Sequence, residues 1–236
     1  MGVCLCPGVL ELSDVASAGA GHLAAPEAAG AARCRQILVD LLEPLGPGAE
    51  GWAGRLIAEF GSLAAALAAA PAAQARALGD AAPARFLATI RSAMLHARQT
   101  EAAAGLTLGD SRALIDYLTF DMAHLPAERL RVLYLNSRNL LLHDEIVSEG
   151  TVRATAVHPR QIMRRALDVG ATALILAHNH PSGDPSPSRD DIQATTLLVR
   201  AAQALDICIH DHVIVARSGW SSFRLLGLIG PQAACA

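Results

Sequence analysis

Lysine is absent from this chain: all 19 basic residues are arginine. Either cation serves on a solvated face, so the bias reads as genome composition and carries no mechanism. Cysteine is sparse and scattered. Cys4, Cys6, Cys34, Cys208 and Cys235 are odd in number, lie mostly near the ends and lack metal-ligand spacing at a folded centre, which argues against a disulfide framework. A surplus of positive charge is missing too. The formal net charge of -3 gives no global attraction to phosphate backbones or anionic membranes, so a nucleic-acid role would need a local basic patch. No apolar run reaches the ~20 residues of a bilayer helix. The N-terminus lacks a basic n-region and meets Glu11 and Asp14 early, unlike a signal peptide, and a reducing cytoplasm is the expected location. What the chain does have is apolar side chain, 52% of 236 residues, enough to bury one good core with a smaller helical unit beside it.

Residues 1–32 are rich in Ala and Gly, carry Pro7 and Pro26 and show no sustained period, the composition of a mobile tail. Residues 33–109 read as a small domain of four or five helices. Ile37, Leu38, Leu41 and Leu42 share one helical face, Leu56, Ile57 and Phe60 another, and Phe86, Ile90 and Met94 a third. Breaks fall at Pro44 to Gly51, at Gly61-Ser62 and at Gly79 to Pro83. Asp110 opens a further helix, with Ala113, Leu114 and Leu118 on one face, ending near His124 to Pro126.

Beyond it, residues 110–230 change period. Leu130 to Leu135 alternates, Ser137-Arg138-Asn139 makes a turn, and Leu140 to Val147 returns as the second strand of a hairpin. Thr151 to Val157 predicts a third strand. A helix follows His158-Pro159, with Ile162, Met163, Ala166 and Leu167 on its apolar face, and then a buried strand over Ala171 to Ala177. A helix from about Arg189 to Leu205, a strand over Ile207 to Val215 and a last one over Trp220 to Leu226 complete an α/β or α+β layer structure.

The chemistry concentrates at the end of that buried strand. Residues two apart on a strand share a face, so His178 and His180 stand side by side, roughly 6 to 7 Å apart at Cα, while Asn179 points away. The loop Pro181 to Pro187 is stiffened by proline and turns the chain back, and Asp191 falls in the first turn of the next helix. Two imidazole nitrogens and one carboxylate oxygen suit Zn²⁺ at ~2.0 to 2.2 Å and leave the fourth tetrahedral position for water, the form of a catalytic site. Such a water has its pKa lowered toward ~7. Ser188 and Asp191 also fit a helix capping box, which needs no metal. A capping box does not account for two histidines directly before a stiffened turn, and the combination favours metal. Asp190 would face elsewhere on the helix.

The stretch His178-Asn179-His180-Pro181-Ser182-Gly183-Asp184-Pro185-Ser186-Pro187-Ser188-Arg189-Asp190-Asp191 resembles the JAMM (MPN) signature of two histidines, seven residues, then serine and aspartate. More closely, it is similar to the RadC family, with Glu145 to Gly150-Thr151 and Val157-His158-Pro159-Arg160 before it and Asp211-His212 after it. The resemblance spans residues 35 to 227 and is strongest from Leu130 onward. It implies a mixed sheet flanked by helices and a zinc metallopeptidase or isopeptidase acting on a protein or peptide. In such enzymes a glutamate on an earlier strand is the general base. Glu145, five residues before Gly150, takes that place by alignment, with Asp144 and Glu149 as neighbouring rivals. Ser188 is expected to donate to the developing oxyanion or to hold the water, a role worth some ~2 to 4 kcal/mol in comparable deletions.

His210, Asp211 and His212 form a second cluster. An HD-type phosphohydrolase would need its His-Asp pair within a helical bundle, whereas this pair opens a β-rich run. Asp211 reads either as a carboxylate that fixes the tautomer of a ligand histidine or as ordinary strand packing, and His158 as structural. A zinc nucleobase deaminase would need H-x-E and C-x-x-C segments that are absent. The N-terminal helices are similar in family terms to a degenerate helix-hairpin-helix, whose turn offers backbone amides to DNA phosphates. Here that turn, Leu78-Gly79-Asp80-Ala81-Ala82-Pro83, has one glycine, and residues 35 to 105 balance six Arg against six acids. Both facts argue against DNA binding. The expectation is thus a zinc-dependent JAMM-type hydrolase, and the rival is a non-enzymatic zinc scaffold in DNA repair or recombination.

Overall fold

The computed structural model describes residues 28–105, 111–150 and 158–230. The expected N-terminal tail and the strand expected at Thr151 to Val157 lie largely or wholly outside them. Contacts between residues divide the described chain into two units, one of residues 28–97 with 124–126, the other of residues 98–123 with 127–230. The division falls within a helix, between Ala97 and Arg98, rather than at the 109/110 boundary expected from the change of period.

The first unit is helical. α1 (Ala28–Leu42), α2 (Ala49–Phe60), α3 (Leu63–Ala68), α4 (Pro71–Leu78) and the first part of α5 (Ala81–Gly105) enclose a core of Leu38, Leu42, Ala53, Leu56, Leu78, Ala84 and Leu87. The caps follow from residue type. Ser62 accepts a hydrogen bond from the Ala65 amide at the start of α3, Pro71 occupies the first turn of α4, and Gly79 closes α4 in the left-handed conformation. The Arg55 guanidinium donates to the Leu78 carbonyl at 2.9 Å, so this arginine of the balanced charge set is used to close a helix.

The second unit is a mixed five-stranded sheet in the order β2-β1-β3-β4-β5. Its strands are β1 (Glu128–Leu135), β2 (Leu141–Gly150), β3 (Ala173–Asn179), β4 (Cys208–Ala216) and β5 (Gly219–Ser222). β3 and β4 run parallel, and every other neighbouring pair is antiparallel. α7 (Pro159–Val169) and α8 (Arg189–Gln203) pack on one face, burying Ile162, Met163, Ala166, Leu198 and Ala202 against Leu130, Val132, Tyr134, Leu174, Leu176 and Ile214. α6 (Ser111–Met122) meets the opposite face, since its Tyr117 and Asp121 bond to Arg131, which alternates with Leu130 and Val132. This is the α/β architecture that the alternation of periods predicts. No described helix is long and apolar enough to cross a membrane.

On the α6 face a charge network is sealed inside. Arg131 reaches Asp121 and Asp144 at 2.6 Å each and the Tyr117 hydroxyl at 2.6 Å, and Asp144 also accepts from Gln99 and Tyr117. Removing one partner of such a pair strands buried charge, at a cost of about 3 to 5 kcal/mol. Arg131→Met should therefore lower the unfolding free energy by about that amount in urea titration. A loss below about 1 kcal/mol would mean that the network contributes little beyond packing.

β3 is buried on both faces along its whole length, as a central strand with a parallel neighbour is. β4 is equally buried yet carries His210, Asp211 and His212 in its middle, where each polar group needs a partner. The register between β3 and β4 skips His210: Leu174 pairs with Ile209, but Ile175 pairs with Asp211 and Leu176 with His212. That one-residue bulge inverts the alternation. It turns His212 onto the α8 face, in the row of Leu176, and Asp211 onto the other.

Candidate metal centre

The end of β3 brings His178 to the α8 face, 5% exposed, with His180 beyond it. Asn179 between them points away and is fully buried. It accepts from the Arg129 amide at 2.9 Å and donates to the Ala127 carbonyl at 3.0 Å, which ties the start of β1 to the end of β3. After His180 the chain turns through residues 181–187, held against the β4–β5 hairpin. Arg217 donates to the carbonyls of Pro181 and Ser182, Ser218 to that of Gly183 and Ser221 to that of Pro185. Gly183 has φ +93°, a conformation that favours glycine, and a Cβ there would also press on the Arg217 guanidinium at 3.3 Å.

This clamp delivers Ser188 as the N-cap of α8 and Asp191 to the first turn. The capping box is present: the Asp191 amide donates to the Ser188 hydroxyl, while Asp191 Oδ2 accepts from the Ser188 amide at 2.8 Å and its hydroxyl at 2.6 Å. The same carboxylate faces the histidines, Oδ1 at 3.3 Å from His178 Nε2 and Oδ2 at 3.4 Å from His180 Nε2. The capping and metal readings of Asp191 thus coincide in one side chain. Because the Ser188 hydroxyl proton is given to Asp191, this serine acts on the site through that carboxylate.

The donor set fits a tetrahedral cation. His178 Nε2 and His180 Nε2 lie 3.0 Å apart, and with bonds of ~2.0 to 2.1 Å the edge of a tetrahedron is about 3.3 Å. The carboxylate meets the two nitrogens with different oxygens, so the nitrogen pair and each nitrogen–oxygen contact lie near that length. The His180 Nδ1 lies 2.8 Å from the Asp184 carbonyl. A carbonyl only accepts, so Nδ1 carries the proton and Nε2 keeps the lone pair that a metal uses. The electrostatics agree. The hydrogen bond with Asp191 raises the His180 pKa above the ordinary imidazole value. Burial pushes the Asp191 carboxyl upward, yet the facing side chains of His178, His180 and Ser188 outweigh it and hold the group well below the usual carboxylate range. Such a site favours a positive charge between its donors. Among the described residues, His178, His180 and Asp191 are the group of His, Cys, Asp or Glu side chains able to hold a metal ion.

The remaining candidates are distributed by the pleat. Glu145 pairs with Val132, in the same row as Leu176, so it shares the face of His178 but lies one pleat further from the strand end. Its carboxylate bonds to Arg165 at 3.2 Å and lies 3.7 Å from His143, and these contacts do not join it to the triad. Asp144 belongs to the network under α6, and Glu149 pairs with Arg129. Asp211 is not the residue that orients a ligand histidine. It accepts from the Ser222 hydroxyl and from the amides of His212 and Arg224, on the face that the His210 bulge gives it. His158 precedes α7 as its N-cap residue, its backbone carbonyl accepting from Gln161 and Ile162.

Three residues at the centre carry no signal in local spacing. Leu130 pairs with His178 as the end of the β1–β3 ladder, and Glu128, two residues earlier in β1, is near enough for its charge to contribute to raising the His180 pKa. A strand read from Glu128 rather than Leu130 would have put this acid on the same face. His212 Nε2 lies 2.8 Å from His178 Nδ1, and its own Nδ1 lies 2.6 Å from the Thr195 hydroxyl. Burial holds the His212 imidazole well below its ordinary pKa, and so neutral.

Comparison with known protein families bears on the unit that holds this centre. Residues 108–228 match the family model of the RadC-like JAB domain.

Proposed function

The chain belongs to the RadC-like JAB domain family, and from that premise we propose that it is a zinc-dependent hydrolase of amide or isopeptide bonds in a protein or peptide. The observation that carries this reading is the convergence of His178 Nε2, His180 Nε2 and the Asp191 carboxylate, with His180 held in the ligating tautomer. Three protein donors are the number of an open zinc site, whereas a closed structural site takes four. Zinc held there would supply Lewis acidity and bring the pKa of a water down toward ~7.

The protein's own residues would do the rest. Asp191 is kept turned to the histidines by its two bonds from Ser188. Glu128, at the start of β1 and near enough to His180 for its charge to act there, would take the proton of the attacking water and return it to the leaving amine nitrogen. Glu145 is less suited, because its carboxylate is turned to Arg165 and His143 rather than to the triad. The rival, a non-enzymatic zinc scaffold in DNA repair, is separated by turnover. The full chain should cleave at least one substrate in a panel of peptides and isopeptide-linked conjugates, lose that cleavage on zinc chelation and regain it when Zn²⁺ is restored. A chain that carries zinc and cleaves nothing in the panel would favour the scaffold.

A further inference from the structure

The contacts behind His178 run in a closed order. The Thr195 hydroxyl lies 2.6 Å from the Asp191 backbone carbonyl and 2.6 Å from His212 Nδ1. A hydroxyl has one proton and a carbonyl has none, so the Thr195 proton goes to Asp191. The reverse order would set two oxygen lone pairs against each other at 2.6 Å. Thr195 must then accept from His212, which places the His212 proton on Nδ1 and leaves its Nε2 as an acceptor. The partner of that Nε2, at 2.8 Å, is His178 Nδ1, which must donate. His178 is left with its lone pair on Nε2, 3.0 Å from His180 Nε2 and 3.3 Å from Asp191 Oδ1, a set of acceptors that a cation or a proton between them satisfies. Phe223 stacks on the His212 ring, with centroids 4.6 Å apart, and holds its plane.

We propose that Thr195 and His212 are positioning residues that fix His178 in the metal-ligating tautomer, with the proton order dictated by the backbone carbonyl of Asp191. The helix turn that supplies one ligand thereby sets the ring of another. This rests on the metal reading of the triad, but the tautomer is a property of the metal-free chain and is measured separately. Ligand histidines are commonly oriented by a carboxylate or a carbonyl; here a neutral imidazole and a hydroxyl stand between the ligand and the carbonyl.

The test uses Thr195→Val, which keeps the shape and removes the hydroxyl, and Thr195→Ser, which restores it. Long-range ¹H–¹⁵N correlation spectra of the full metal-free chain report which nitrogen of His178 is protonated. Competition with a chromophoric chelator reports zinc affinity. In the wild type, His178 should carry its proton on Nδ1. In Thr195→Val, His212 loses its acceptor, the proton moves to Nε2 in part or all of the population, and zinc binding weakens about 10- to 100-fold; Thr195→Ser should recover both. A wild-type His178 protonated on Nε2 would overturn the proposal whether or not the valine variant folds. So would a folded Thr195→Val with unchanged tautomer and zinc affinity. If the wild type binds no zinc while its tautomer responds to Thr195→Val, the metal reading fails and the relay stands.

Discussion

Glu128→Gln should lower turnover by about 10²- to 10⁴-fold while leaving the zinc content and melting temperature of the chain unchanged. The amide keeps the size of the side chain and its place at the start of β1, but it cannot accept a proton. Glu128 is not among the three donors that converge on the centre, so its loss should spare the metal. Glu145→Gln is the paired variant. It removes a charge from the contact with Arg165 and His143, and its effect should stay within a few-fold. Turnover of the two variants is compared on whichever substrate the cleavage panel yields. Full activity in Glu128→Gln together with a large loss in Glu145→Gln would return the base to Glu145, and loss of zinc from Glu128→Gln would make Glu128 a ligand.

The triad lay open in the sequence because its geometry is local. The two-residue repeat of a strand fixes His178 against His180, and the offset of a helix cap fixes Ser188 against Asp191; neither depends on distant pairing. The order of the described strands and helices of this unit was legible for the same reason, from the switch between periods of two and 3.6. The residues around the triad depend on register between strands far apart in the chain. The charge of Glu128 acts on His180 only because β1 pairs antiparallel with β3 at Leu130 and His178. His212, rather than Asp211, meets His178 only because β4 bulges at His210. The spacing of Glu145 from Gly150 is local as well, but Arg165, twenty residues on in α7, is what its carboxylate meets.

Replacing both His178 and His180 by Ala should remove the metal altogether. It takes away two of the three donors and leaves the Asp191 carboxylate to its capping role, a single monodentate oxygen with no chelate partner. The fold should survive, because the capping box at Ser188 and Asp191 does not pass through the imidazoles. Acid should act on the wild type in the same direction. The His180 pKa is raised by Asp191, so protons compete for its Nε2 from above the ordinary imidazole value, and zinc affinity falls as the pH drops through that range.

A single metal held by His178, His180 and Asp191 would show in elemental analysis of the purified protein beside the His178→Ala/His180→Ala variant. About one zinc per wild-type chain, the occupancy of one mononuclear site, is expected, and none in the variant. Zinc retained in the variant at the wild-type level would contradict it and place the metal elsewhere in the molecule.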